Sequence, residues 1–152
     1  MTDLQPIDGV RFKEVKHVPT EYGRLTEIFR LDWGLDEKEV GQVFQLQLAP
    51  GFVSAWHAHE STTDRLFVNS GLVKLVLFDG RPQSPTQGRI NEFRVGDPRP
   101  TLISIPPKVW HGLKNIGIEN AHVLNLVDQA YDYEEPDHWS LPPDTAEIPY
   151  RF

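Results

Sequence analysis

Apolar residues along this chain fall in short runs, and several of the runs alternate with polar positions. From Phe44 to Leu48 every second residue is apolar, the period of a strand with one buried and one wet face. Further runs rich in Val, Ile, Leu, Phe and Thr occupy 9–15, 24–31, 40–48, 52–57, 65–68, 72–78, 89–95, 101–105, 109–113 and 121–127. Turn signals separate them: Pro50-Gly51, Asn69-Ser70-Gly71, Asp79-Gly80 and Gly96-Asp97-Pro98. No segment carries a long apolar stripe at helical spacing, and short helices are expected only near 35–39 and 134–139. So many short strands predict an all-β sandwich or barrel. The last stretch, 131–152, changes to Pro, acidic and aromatic residues and is expected to run irregularly over the surface.

The 152 residues suit a single domain, 1–152. There is no cysteine, which removes disulfides, thiolate metal sites and a cysteine nucleophile. A net charge of −7 repels phosphate backbones and anionic lipid, so no nucleic-acid and no membrane role is expected. No apolar run approaches the roughly 20 residues that span a bilayer. The start, MTDLQPIDGV, has no basic region followed by an apolar one, so the expected location is the cytoplasm.

The chemistry concentrates between Gly51 and Gly71. His57 and His59 are two apart, so on a strand both rings share one face, with Phe52, Ser54 and Trp56 on the other. Asp64 begins the next run and can return beside them, and His111 follows a turn much later. His57, His59, Asp64 and His111 would suit a divalent Zn, Fe, Mn or Ni ion. The same residues also suit proton transfer or a wet barrel mouth. A ring nitrogen that coordinates cannot also serve as a base, so metal and base exclude each other at His57. His17, His122 and His138 fit no pattern and are expected to be structural or exposed.

This pattern resembles the cupins. Gly51, His57, His59, Asp64 and Gly71 match the first cupin motif, with Asp64 for its usual Glu. Pro106, His111 and Asn115 match the second, with Lys108 at a Gly position. Within cupins the chain is similar to the dTDP-4-dehydrorhamnose 3,5-epimerase family over most of its length. The run Asp79-Gly80-Arg81-Pro82-Gln83-Ser84-Pro85-Thr86-Gln87-Gly88 is the most specific feature, joined by the opening strands, Ile105-Pro106 with His111-Gly112, and the tail from Tyr131 to Ile148. The chain departs at Ser54-Ala55-Trp56-His57-Ala58-His59, where the family has Arg-Gly-x-His-x-Gln. A phosphate-contacting Arg is thereby lost, and a Gln becomes His59.

The resemblance implies a double-stranded β-helix, the cupin or jelly-roll barrel, with an irregular C-terminal tail. It implies a nucleotide-sugar epimerase or isomerase that removes a proton beside a ketone without a cofactor, probing a small-molecule substrate as a homodimer. His57 would be the base, oriented by a carboxylate such as Asp144. Tyr131 would be the acid, with Tyr133 as its neighbour, and Arg65 would stabilise the enolate oxygen. Arg24, Glu27, Trp56 and His111 would bind substrate. Two other readings stand beside it: a metal-dependent dioxygenase or small-molecule isomerase, and a non-catalytic sugar-binding cupin.

Overall fold

The computed structural model describes residues 4–152. Twelve strands follow in order: β1 (Arg11–Glu14), β2 (His17–Thr20), β3 (Gly23–Thr26), β4 (Gln42–Leu48), β5 (Val53–Ala58), β6 (Asp64–Ser70), β7 (Leu72–Phe78), β8 (Ile90–Gly96), β9 (Thr101–Ile105), β10 (Trp110–Asn115), β11 (Ala121–Val127) and β12 (Trp139–Ser140). Two five-stranded antiparallel sheets form, β1-β9-β6-β11-β4 and β12-β5-β10-β7-β8, with β2 and β3 as a separate hairpin. This is the all-β jelly-roll architecture that the cupin resemblance implied.

The alternation seen in the sequence sorts residues between the sheets. Val73, Leu75 and Leu77 of β7 point inward to meet Leu66, Val68, Phe93, Ile103 and Val123 in one core. The outer faces are covered too, which is why several strands are buried throughout. Residues 28–40 lie over Phe67, Leu102 and Leu126. The tail packs Ile148, Tyr150 and Phe152 over Trp56 and Val76. Covering both faces removes the polar half of the alternation, as expected for strands buried on either side.

Neither short helix forms. A single 3₁₀ turn occupies Leu31–Trp33 instead. Residues 35–39 are drawn out as a loop by Asp36, which accepts bonds from Arg65 Nε at 2.8 Å and Nη2 at 2.9 Å. The segment 134–139 starts in a bend closed by Asp132, which accepts from the Glu134 and Glu135 N–H groups, and then leads into β12, which pairs with β5.

Two polar clusters fasten the loops. Asp79 is fully buried and accepts from Arg81, Ser84 Oγ at 2.6 Å and Thr86 Oγ1 at 2.6 Å. The most family-specific run of the sequence is thus a hydrogen-bonded turn between β7 and β8. Arg65 is the second cluster. Strand parity turns it away from Asp64 and Leu66, to the outer face of β6. There it also donates to the carbonyls of Lys38, Glu39 and Leu126, with Phe29 stacked 5.0 Å away. Every donor of a buried guanidinium needs an acceptor, and the 36–39 loop supplies them.

Arg65→Ala is expected to lower the unfolding free energy by about 3–5 kcal/mol, because Asp36 loses its ion-pair partner; urea denaturation measures it. Burial alone would raise the Asp36 carboxyl, but the bonds from Arg65, then Ser104 and the Lys38 N–H, outweigh that and hold it below its usual range. Its contribution is therefore present above the ordinary carboxylate pKa, about 4, and is lost as pH falls through the depressed value. Asp36→Asn is expected to flatten that acid limb.

Candidate functional site

The site lies between the two sheets at one end of the barrel, in a cavity of about 500 Å³. Strands β5 and β10 pair with His57 directly opposite His111. Two residues of β5, Ala55 and Trp56, then face only Gly112 before Ser54 meets Leu113. This bulge reverses the parity of β5. Ser54, expected on the far face, comes into the cavity beside His57, and Trp56 stays outside. Gly112 permits the close approach: a Cβ there would sit 2.7 Å from that of Ala55.

His57 Nε2 lies 2.9 Å from Ser54 Oγ, and Nδ1 lies 3.4 Å from His138 Nε2. Burial, and then the neighbouring His111, His138 and His59, push the His57 ring down to about 4. It is neutral at physiological pH and keeps a lone pair for accepting a proton.

His59, Asp64 and His111 form a second group. Asp64 Oδ2 is 3.0 Å from His59 Nε2 and 3.5 Å from His111 Nε2. Its other oxygen accepts from Asn125 Nδ2 at 2.6 Å. The far nitrogens face carbonyls: His59 Nδ1 is 2.5 Å from Asp137 O and His111 Nδ1 is 3.3 Å from Val109 O. Burial works against charge on His59, but the Asp64 bond and Asp137 overcome it and raise its pKa. Burial lowers His111. Burial would also raise Asp64, which is 2% exposed, but the bond from His59 holds its carboxyl low.

The tail completes the cavity. Tyr131 lines it, half exposed, with its backbone N–H on Gln42 Oε1 at 2.8 Å. Tyr133 lies outside the lining, edge-on to Tyr131 at 5.0 Å. The Asp137 carboxylate accepts from the backbone N–H groups of Glu60, Ser61 and Thr62 and from the Thr62 hydroxyl. Ser140 then pairs with His57 along β5.

The structure therefore brings His57, His59, Asp64, His111 and Tyr131 to one cavity and removes other expected members. Asp144 is exposed and does not bond to His57; once Trp139–Ser140 pair with β5, the chain turns away to the outer face of the second sheet. Arg65 is sealed on the outer face of β6. Trp56 is buried against Phe152 at 5.1 Å, not at substrate. Arg24 is ion-paired with Asp97, and Glu27 lies 3.2 Å from Arg30, both exposed and off the cavity lining. His57 stands outside the metal-like group of His59, Asp64 and His111. His138 and Ser54 are the members that sequence reasoning missed. A bulge hid Ser54, and a two-residue strand, too short to give a periodic signal, places His138.

The chain matches the polysaccharide biosynthesis C-terminal domain family over residues 20–139. It is 35% identical to "Probable low-salt glycan biosynthesis epimerase Agl13" of Haloferax volcanii, covering 91% of this chain and 89% of that protein. It is 30% identical to the spore coat polysaccharide biosynthesis protein SpsL of Bacillus subtilis, covering 96% of each. Among solved structures, a dTDP sugar isomerase from Desulfovibrio desulfuricans superposes with a TM-score of 0.89 at 31% identity, over 97% of this chain and 92% of that one. The RmlC epimerase of Mycobacterium tuberculosis shares the fold, with a TM-score of 0.85 at 18% identity over 98% of this chain and 76% of that one. The resemblance to the dTDP-4-dehydrorhamnose 3,5-epimerase family is borne out.

Asp137→Ala is expected to free the strap that carries His138. Amide hydrogen exchange at 60–62 should accelerate at least about tenfold, since each lost charge-assisted bond is worth about 1.5–3 kcal/mol. Exchange at 73–77 in the core should be unchanged.

Proposed function

We propose that this chain, which belongs to the polysaccharide biosynthesis C-terminal domain family, epimerises or isomerises a nucleotide-linked ketosugar by moving protons beside the ketone. The single observation that carries this reading is a neutral His57 set in a sugar-sized cavity that Tyr131 also lines. A C–H beside a carbonyl is acidified because the charge left behind spreads onto oxygen. A neutral imidazole accepts that proton, and a phenol returns one to the carbon. Ser54 and His138 engage the two ring nitrogens of His57 and fix its orientation. His59, whose pKa the Asp64 bond and Asp137 raise, lines the same cavity and is assigned the side of the enolate oxygen. This chemistry needs no cofactor. It is in keeping with relatives named as a glycan epimerase and a dTDP sugar isomerase.

The cavity lining contains no Lys or Arg. The sugar ring is therefore assigned to the cavity, and the charged diphosphate to its mouth. Edge strand β4 borders that mouth through Gln42 and Phe44 and exposes Val43 and Phe44. An exposed apolar edge favours pairing, so the proposed unit is a homodimer of single-domain chains 1–152. No helix among the described residues is long and apolar enough to cross a membrane; a cytoplasmic location is proposed with the nucleotide-sugar substrate.

Incubation with dTDP-4-keto-6-deoxyglucose in D₂O, followed by proton NMR, tests the reading. Deuterium is expected at a carbon beside the ketone. His57→Asn is expected to slow its uptake by about 10²–10⁴-fold with little change in melting temperature. Tyr131→Phe is expected to keep exchange at the abstracted position while losing inversion. Wild-type uptake unchanged by His57→Asn would overturn the assignment of the base.

A further inference from the structure

The side chains around His57 form a second chemical arrangement that proton transfer at carbon does not use. Ser54 Oγ lies 2.9 Å from His57 Nε2, and His57 Nδ1 lies 3.4 Å from His138 Nε2. One assignment of hydrogens satisfies all of these atoms. The Ser54 hydroxyl donates to the Nε2 lone pair of His57, and the His57 Nδ1–H donates to the Nε2 lone pair of His138. His138, which is exposed, then keeps its own hydrogen on Nδ1. A hydroxyl, a base facing it and a third group on the far nitrogen of that base are the parts of an activated nucleophile.

The fold holds these parts in place. The bulge in β5 turns Ser54 into the cavity that His57 also lines. His57 is paired with His111 on one side and Ser140 on the other. His138 sits between Asp137, whose carboxylate is bonded to the 60–62 loop, and Trp139, which pairs with Ala58. The cavity walls are apolar at Leu46, Leu66, Leu113 and Val123, and no Lys or Arg lines them. Both features favour an uncharged ester over an anionic one.

We propose that Ser54 is an activated nucleophile and that this cavity hydrolyses short, uncharged acyl esters, O-acylated sugars being the class that fits its size and lining. Ser54 Oγ bonds to the acyl carbon while its proton passes to His57 Nε2. The ester C–O bond then breaks, and His57 returns that proton to the leaving alcohol. Water attacks the acyl-serine with its proton taken and given back by the same nitrogen, which releases the acid and restores Ser54. The Tyr131 phenol, in the same lining, is the donor assigned to the oxyanion. His138 acts through His57 and is a positioning residue. It fixes the tautomer but, unlike a carboxylate, adds no charge to stabilise the imidazolium, which suits esters and disfavours amides. The inference does not rest on the epimerase reading, because it concerns a different bond.

The test treats the full chain with a fluorophosphonate probe, read by intact mass and peptide mapping, and separately with p-nitrophenyl acetate and an O-acetylated glucose. Wild-type protein is expected to take one phosphonyl group per chain, on Ser54, and to release p-nitrophenol with a burst. Ser54→Ala is expected to lose both. His57→Asn is expected to slow both by about 10²–10⁴-fold. His138→Leu is expected to slow them about tenfold or more, and His138→Gln, whose amide oxygen accepts the Nδ1–H, to recover most of that loss. Thermal melts establish that each variant is folded, and the wild-type peptide map identifies the site even if Ser54→Ala does not fold. No adduct on Ser54 at millimolar probe would overturn the proposal. So would ester turnover that survives Ser54→Ala, labelling without turnover, or labelling indifferent to His57→Asn. Deuterium exchange into a ketosugar without a Ser54 adduct would leave the epimerase reading standing and reject this one; an adduct and ester turnover without exchange would do the reverse.

Discussion

A carboxylate placed between two packed sheets constrains everything around it. Asp64 stands at the first position of β6, inward by parity, in surroundings with little water. An isolated charge there would cost several kcal/mol, so it persists only with partners. Asn125 reaches it from β11, His111 from β10, and His59 from the loop after β5. Three strands and a loop are thereby tied to one oxygen pair at the mouth of the barrel. Those ties bring the histidines into one cavity while the apolar core fills the rest of the space between the sheets.

The same logic extends outward. His59 is held from behind by the Asp137 carbonyl, and the Asp137 side chain grips the loop at Glu60, Ser61 and Thr62. The tail is therefore part of the site and not merely a cover. It brings His138 to His57 before running on to pack Ile148 and Phe152 over Trp56. On the opposite side of the barrel, Arg65 performs the matching task for residues 36–39. Neighbours in sequence, Asp64 and Arg65 do not pair with each other. Strand geometry sends their charges to opposite faces, and each organises a different layer.

The sequence by itself determined the strand content and the buried faces. Period-2 alternation and turn residues give 72–78, 101–105 and 121–127 to the residue, because burial of one face imposes that period wherever the strand lies. The Asp79–Gly88 run marked the family, since its side chains close most of a turn locally around Asp79, with Asp8 as the distant partner of Arg81 and Thr86. His57, His59, Asp64 and His111 were legible as a group from motif spacing on paired strands. Tertiary structure alone decided how that group divides. A bulge of one residue in β5 brought in Ser54. The parity of β6 sealed Arg65 away from the cavity. A two-residue strand in the tail chose His138, not Asp144, as the neighbour of His57. Each of these turns on long-range register, which is set by contacts between residues far apart in the chain and leaves no periodic trace in either segment alone.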